Sequence, residues 1–260
     1  MQFSDYLDDL MRATGFLSRL PLPARHFEGH DGTLSRASAM FAAAGLLVAL
    51  PAGALVWLLS VLDANAALSA LLALVVLIGT TGALHEDGLA DSADAFGARG
   101  GRDHMLDIMK DSRIGAYGVL ALVMTFGLRA VALTIIIAVT GGLNTLLILL
   151  GIAAVSRGAM TWHWSRLPSA RADGVASAVG APEPAAARSA VVTGAGLFLA
   201  MTILTTGVLV AIAALALVAV ASAQWTAAVR ARLQGHTGDT IGATQQIAET
   251  AGLVTLALLL

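Results

Sequence analysis

Asp87, Asp91 and Asp94 stand four and then three residues apart in the run His85 to Gly97, HEDGLADSADAFG. On a helix they share one face, about one turn apart. Like charges at that spacing repel by a few tenths of a kcal/mol in water. Near a membrane surface solvation is weaker and the penalty grows. Something positive must compensate. Hard carboxylate oxygens favour Mg²⁺ or Mn²⁺ over softer metals. Such an ion bridges phosphates and stabilises charge during phosphoryl transfer. Gly88, Ala90, Ala93 and Ala95 thin the helix around these carboxylates and let a bulky group approach. The plainer reading, a solvated acidic loop, has no need of that thinning. Seven of the 17 acidic residues fall between Glu86 and Asp111, so the chemistry is expected there.

A second run, Arg102 to Gly118, places Asp103, Asp107 and Asp111 at helical spacing with Met105, Leu106, Ile108 and Met109 as apolar cover. Lys110 and Arg113 offer phosphate contacts, the arginine as a fork and the lysine as a point charge. Ser112 adds a hydroxyl. The alternative is a surface helix laced by pairs such as Asp107 with Lys110. A third run, Gly235 to Glu249, has Gly235 and Gly238 to admit close backbone approach. Thr237, Asp239 and Thr240 supply oxygens to a ligand or cap a helix before Ile241. Arg129 and Arg157 fall inside or beside apolar runs, where charge is costly and faces a polar cavity or a partner. Either binds substrate phosphate or pairs with a loop carboxylate. His85 is a ligand, a proton carrier or a support for one.

These residues hang on apolar segments. Of the 260 residues, 57% are hydrophobic and 12% charged, against about 25% charged in soluble domains. Such a chain faces lipid. The net charge of -2 implies no pull on nucleic acid. Without cysteine, disulfides, thiolate metal sites and cysteine nucleophiles are excluded. The opening residues lack the basic start and apolar centre of a secretory signal. They predict an amphipathic helix, with Phe3, Leu7, Leu10, Met11 and Leu17 near one face. It lies at the membrane interface or packs on other segments. Apolar runs follow at Ser38–Leu62, Ala66–Leu84, Tyr117–Val139 and Leu143–His163, each near the ~20 residues that cross the hydrocarbon. Ala190–Val229 is too long for one crossing and predicts a hairpin turning near Thr205-Thr206-Gly207. Arginines crowd alternate connections, which places them together on the cytoplasmic side. The expectation is an all-α, polytopic transmembrane bundle of about six crossings. A C-terminal helix lies near the cytoplasmic face, and the active-site loops are 85–115, 164–189 and 230–240 of one domain spanning 1–260.

The runs HEDGLADSADAFG, DIMKDSRIGAYGVLAL and HTGDTIGATQQIAE resemble the cobalamin synthase, or adenosylcobinamide-GDP ribazoletransferase, family. So do FLSRLPLP (Phe16 to Pro23), Ser156-Arg157 and Ala170 to Gly174. The resemblance covers nearly the whole chain, in order. It implies a cytoplasmic-membrane enzyme that joins adenosylcobinamide-GDP to α-ribazole or its 5′-phosphate with release of GMP, using Mg²⁺. The matching motif positions are Glu86, Asp87, Asp91 and Asp94, then Lys110, Asp111 and Arg113, then Gly238 and Asp239. On this basis Glu86, Asp87, Asp91 and Asp94 are the expected metal ligands. Asp91, Asp94, Lys110 and Arg113 are the expected catalytic residues, with Asp94 as ligand or proton acceptor. His85, Asp111, Ser112, Arg157, Gly238 and Asp239 are expected to bind substrate. Membrane lipid is a further partner, and a homo-oligomer stays open. A CDP-alcohol-type phosphotransferase would place Ala-Arg soon after its Asp-Gly pair, whereas here Ala90 precedes Asp91. The carboxylates lie in a loop and no repeat is visible, which argues against an ion-coupled transporter.

Overall fold

The computed structural model describes residues 3–171 and 174–260; Ala172 and Asp173, within the family-like stretch before the hairpin, lie outside the described residues. Eleven helices are described: α1 (Phe3–Leu17), α2 (Phe41–Val61), α3 (Ala66–Thr81), α4 (Leu84–Gly97), α5 (Arg102–Ile108), α6 (Ala116–Thr140), α7 (Gly142–Arg166), α8 (Val175–Ala178), α9 (Pro184–Thr206), α10 (Val208–Leu233) and α11 (Gly238–Leu259). Five of them are long and apolar enough to cross a membrane: α2 with the 3-10 turn before it, α6, α7, α9 and α10. α3 and α4 reach that standard only as a pair bent by 90°. The bundle is therefore all-α and polytopic, with five of the expected crossings present as single helices and the run Ala66–Leu84, expected to cross alone, reaching that standard only as α3 together with α4. The Asn65 side chain caps α3 by accepting from Ala67 N and Leu68 N. Gly207, at φ 87, turns the chain between α9 and α10 where the hairpin was expected. Large apolar side chains such as Trp57, Val75, Val123 and Leu209 stay exposed, as lipid-facing positions do.

Four local expectations change. The 85–115 segment is not one loop, since α4 and α5 lie within it. α5 ends at Ile108, so Asp111 leaves the helical series of Asp103 and Asp107. The loop expected over 230–240 shrinks, because α10 runs to Leu233 and α11 starts at Gly238.

The largest change is at α11. The sequence placed this helix near the cytoplasmic face and left open whether it crosses or lies along the surface. Gln245, Gln246, Ala248 and Glu249 are buried, and Leu253 and Leu256 join the main core with Ile152 and Val218. At ~1.5 Å per residue its 22 residues descend about 33 Å along the other helices. α1 takes the packed alternative to the interfacial one. Ala13 and Leu17 sit in a core with Phe41 and Trp164, and buried Asp9 accepts from Arg36 Nε and Nη2 at 2.8 and 2.9 Å.

Candidate active site

The site is built where three connections meet. Ala170 N donates to His236 O and His236 N to Pro168 O, both at 2.8 Å. This bridge ties the segment after α7 to the start of α11. Thr237 and Thr240 form a reciprocal capping box on α11. Arginines stitch the rest to backbone carbonyls: Arg102 to Leu233 O and Ala170 O, Arg171 to Leu106 O and Arg232 to Phe96 O. α4 then lies against the α11 N-terminus. A Cβ at Gly88 would come 2.8 Å from Asp239 O. The thinning of α4 therefore serves backbone of α11 as well as any ligand.

These contacts enclose a cavity of about 400 Å³ lined by His85, Asp87, Lys110, Arg171, Gly238 and Asp239 on its polar side, with Phe16, Met160, Trp164 and Ile241 among its apolar lining. Asp91, one turn beyond Asp87, does not line the cavity but adds to its acidic rim. Burial pushes its carboxyl up to about 7, and Asp239, Asp87 and Asp94 push the same way. Burial also raises Asp239, against the opposing hydrogen bond from Thr237 and the Arg171 charge. Asp91 and Asp239, partly buried beside each other, cannot both ionise cheaply without more positive charge.

Hard oxygens under mutual repulsion fit a hard divalent cation. Among the described residues, no three His, Asp or Glu side chains converge on a metal position.

Other expected residues lie elsewhere. Both oxygens of Asp94 are engaged, accepting from Gly115 N at 2.7 Å and Gly118 N at 2.9 Å. It caps the N-terminus of α6. Glu86 points away from the aspartates, accepting from Arg129 Nη1 at 3.3 Å and Gln246 Nε2 at 3.0 Å. Arg157 lies in the same closed cluster, 3.5 Å from Glu249, while Arg129 Nη2 sits 2.7 Å from Glu249. Both span arginines thus take the pairing alternative. Arg113 grips Asp111 in an exposed turn and holds that carboxyl down to about 2. Neither residue lines the cavity, nor does Ser112.

Arg171 was not among the expected site residues. The signal for it was the unmet need for positive charge beside the aspartates. His236 and Trp164 gave no such signal.

The cobalamin-5-phosphate synthase family model matches residues 9–257. An adenosylcobinamide-GDP ribazoletransferase of Sinorhizobium medicae is 47% identical over 263 residues, covering 99% of this chain and 98% of its own. A protein of the same name from Rhizobium etli is 49% identical over 259 residues, covering 99% of each. Another from Brucella canis is 42% identical over 264 residues, covering all of both chains. No solved structure matches the chain at a significant level. With the motifs falling in order on α4, α5, α6 and α11, the chain belongs to the cobalamin-5-phosphate synthase family.

Proposed function

We propose that the cavity joins adenosylcobinamide-GDP to α-ribazole or its 5′-phosphate, releasing GMP, at a late step of cobalamin synthesis. The observation that carries this is the meeting of Asp87 and Asp239 with Lys110 and Arg171 in one cavity, with Asp91 on its rim. A ribose hydroxyl oxygen attacks the phosphorus on the corrinoid side of the diphosphate. The bond from that phosphorus to the bridging oxygen breaks, and GMP leaves with the electron pair. The hydroxyl proton passes to a rim carboxylate. Lys110 and Arg171 neutralise phosphate oxygens as charge moves onto the leaving group.

Asp87 and Asp239, the two carboxylates that line the cavity, would hold Mg²⁺, which when bound would draw charge from the diphosphate, with Asp91 one turn further along α4 adding negative charge nearby. Asp94 is assigned to capping and Glu86 to the buried cluster, in place of ligation. The arginine-bearing connections at one end of the bundle favour insertion in a prokaryotic cytoplasmic membrane with the site facing the cytoplasm.

Purified protein supplied with adenosylcobinamide-GDP, α-ribazole 5′-phosphate and Mg²⁺ is expected to give GMP and a cobalamin phosphate in equal amounts. A chelator should abolish both. Equal turnover in the chelator would remove the metal, and no product from folded protein would remove the reaction.

A further inference from the structure

A second opening lies outside the active-site cavity, where the α9–α10 hairpin meets α7. Gly158 and Ala159 of α7, Ala195 of α9, and Leu215, Val218 and Ala219 of α10 border a space of about 350 Å³. These three helices are each long and apolar enough to cross a membrane, so the space faces hydrocarbon. The Ser222 hydroxyl, which also borders it, is spent on Val218 O at 2.7 Å. Nothing polar is therefore offered to a ligand along most of its length.

Trp162 and Val191 border this space and also a neighbouring one of about 450 Å³, so the two adjoin. The second space is lined by Arg166 and Arg188, and no acidic residue lines it. Both arginines are exposed, and among the described residues neither is paired with a carboxylate. Arg230 adds a third cation there, donating from Nη2 to Arg166 O at 3.3 Å. Other arginines at this end of the bundle are already engaged: Arg36 by Asp9, Arg113 by Asp111, and Arg102, Arg171 and Arg232 by backbone carbonyls. Arg166 and Arg188 thus keep their charge available.

The depth of the combined groove is informative. Val155, at its apolar end, precedes Arg166 by eleven residues of α7, or about 16 Å at ~1.5 Å per residue. That is half of the ~30 Å hydrocarbon core. The groove therefore runs from the arginine-bearing end of the bundle to about the middle of the bilayer, the depth of one leaflet. Trp162 sits near its polar end, where tryptophan belongs at a membrane interface.

We infer that this groove seats one anionic phospholipid. An acyl chain lies between α7, α9 and α10, and the phosphate rests on the guanidinium forks of Arg166 and Arg188, whose shape matches it. A zwitterionic headgroup fits less well, because its ammonium would face arginines with no carboxylate to receive it. A free phosphate would leave the apolar half unfilled. The site is separate from the active-site cavity, and the inference does not depend on the transferase reading.

The test is native mass spectrometry of the full-length protein released from detergent with phosphatidylglycerol or phosphatidylcholine of identical chains. One phosphatidylglycerol per chain should be retained in preference to phosphatidylcholine. Arg166→Gln and Arg188→Gln should each lower its retention about fivefold, the usual effect of one basic residue on an anionic lipid. Ala219→Phe, which fills the apolar half, should lower retention of either lipid. Arg25→Gln removes an exposed charge outside the groove and should change nothing. Melting curves certify that each variant is folded.

Equal retention of the two lipids by the wild type would overturn the inference. So would unchanged retention in folded Arg166→Gln and Arg188→Gln, or an equal loss in Arg25→Gln. Displacement of the lipid by glycerol 3-phosphate, which has the phosphate without the chains, would reduce the site to an anion site and overturn it too. A dimer that Ala219→Phe dissociates would assign the groove to a second copy of the chain instead.

Discussion

Asp91→Asn and Asp87→Asn are each expected to lower turnover about a hundredfold or more, the scale on which removal of one preorganised electrostatic group acts. Both substitutions preserve shape and remove charge from the crowded rim, where Asp87 and Asp239 push the Asp91 carboxyl upward. They should therefore leave the fold intact or stabilise it slightly. Asp94→Ala separates the roles. It deletes the acceptor for Gly115 N and Gly118 N, so it should cost about 1–2 kcal/mol of stability, as lost helix caps do. The Asp94→Ala protein that stays folded should keep most of its turnover. Initial rates of GMP release beside melting curves in detergent read both effects. Full activity in Asp91→Asn would remove that residue from the rim's chemistry, and loss of turnover without loss of stability in Asp94→Ala would return Asp94 to it.

Glu249→Leu should be the most destabilising single change in the bundle. Glu249 lies 2.7 Å from Arg129 Nη2 and 3.5 Å from Arg157 Nη1, with all three side chains 5% exposed or less. Gln245 Nε2 also donates to it at 2.6 Å. Its loss leaves two buried guanidinium groups sharing the remaining carboxylate of Glu86. Breaking such a cluster by removing one partner costs about 3–5 kcal/mol. Adding Arg129→Leu restores one charge of each sign, Arg157 with Glu86, and should recover much of the loss. Thermal unfolding of the single and double variants measures the coupling; an unchanged melting temperature in Glu249→Leu would contradict it. The cluster also fixes function at a distance. It clamps α4 through Glu86 to α6, α7 and α11, and so sets which face of α4 turns toward Asp239.

The spans were legible because crossing the hydrocarbon demands apolar runs of about 20 residues, and Asn65, Gly141 and Gly207 punctuate those runs. The acidic face of α4 was legible from spacing alone. The division of labour among its carboxylates was not. Asp94 caps a helix that begins 22 residues later, and nothing local marks that capture. Glu86 meets Gln246 across 160 positions. The course of α11 stayed open because the partners of its polar half, Arg129 and Arg157, sit on other helices. Arg171 is brought to the site by the Ala170–His236 bridge and its bond to Leu106 O, pairings with no periodic signature. Spacing exposes what one element can present, and long-range pairing decides what it spends on structure.

The Asp87 and Asp239 carboxylates are expected to hold a divalent cation together with the substrate diphosphate. Mn²⁺ titration followed by electron paramagnetic resonance, with adenosylcobinamide-GDP present and ribazole withheld, tests it most directly. One bound Mn²⁺ per chain that Mg²⁺ displaces is expected, with affinity at least about tenfold weaker in Asp87→Asn and unchanged in folded Asp94→Asn, because the cap takes no part in holding the ion. No bound Mn²⁺ in the wild type, or equal affinity in Asp87→Asn, would contradict it.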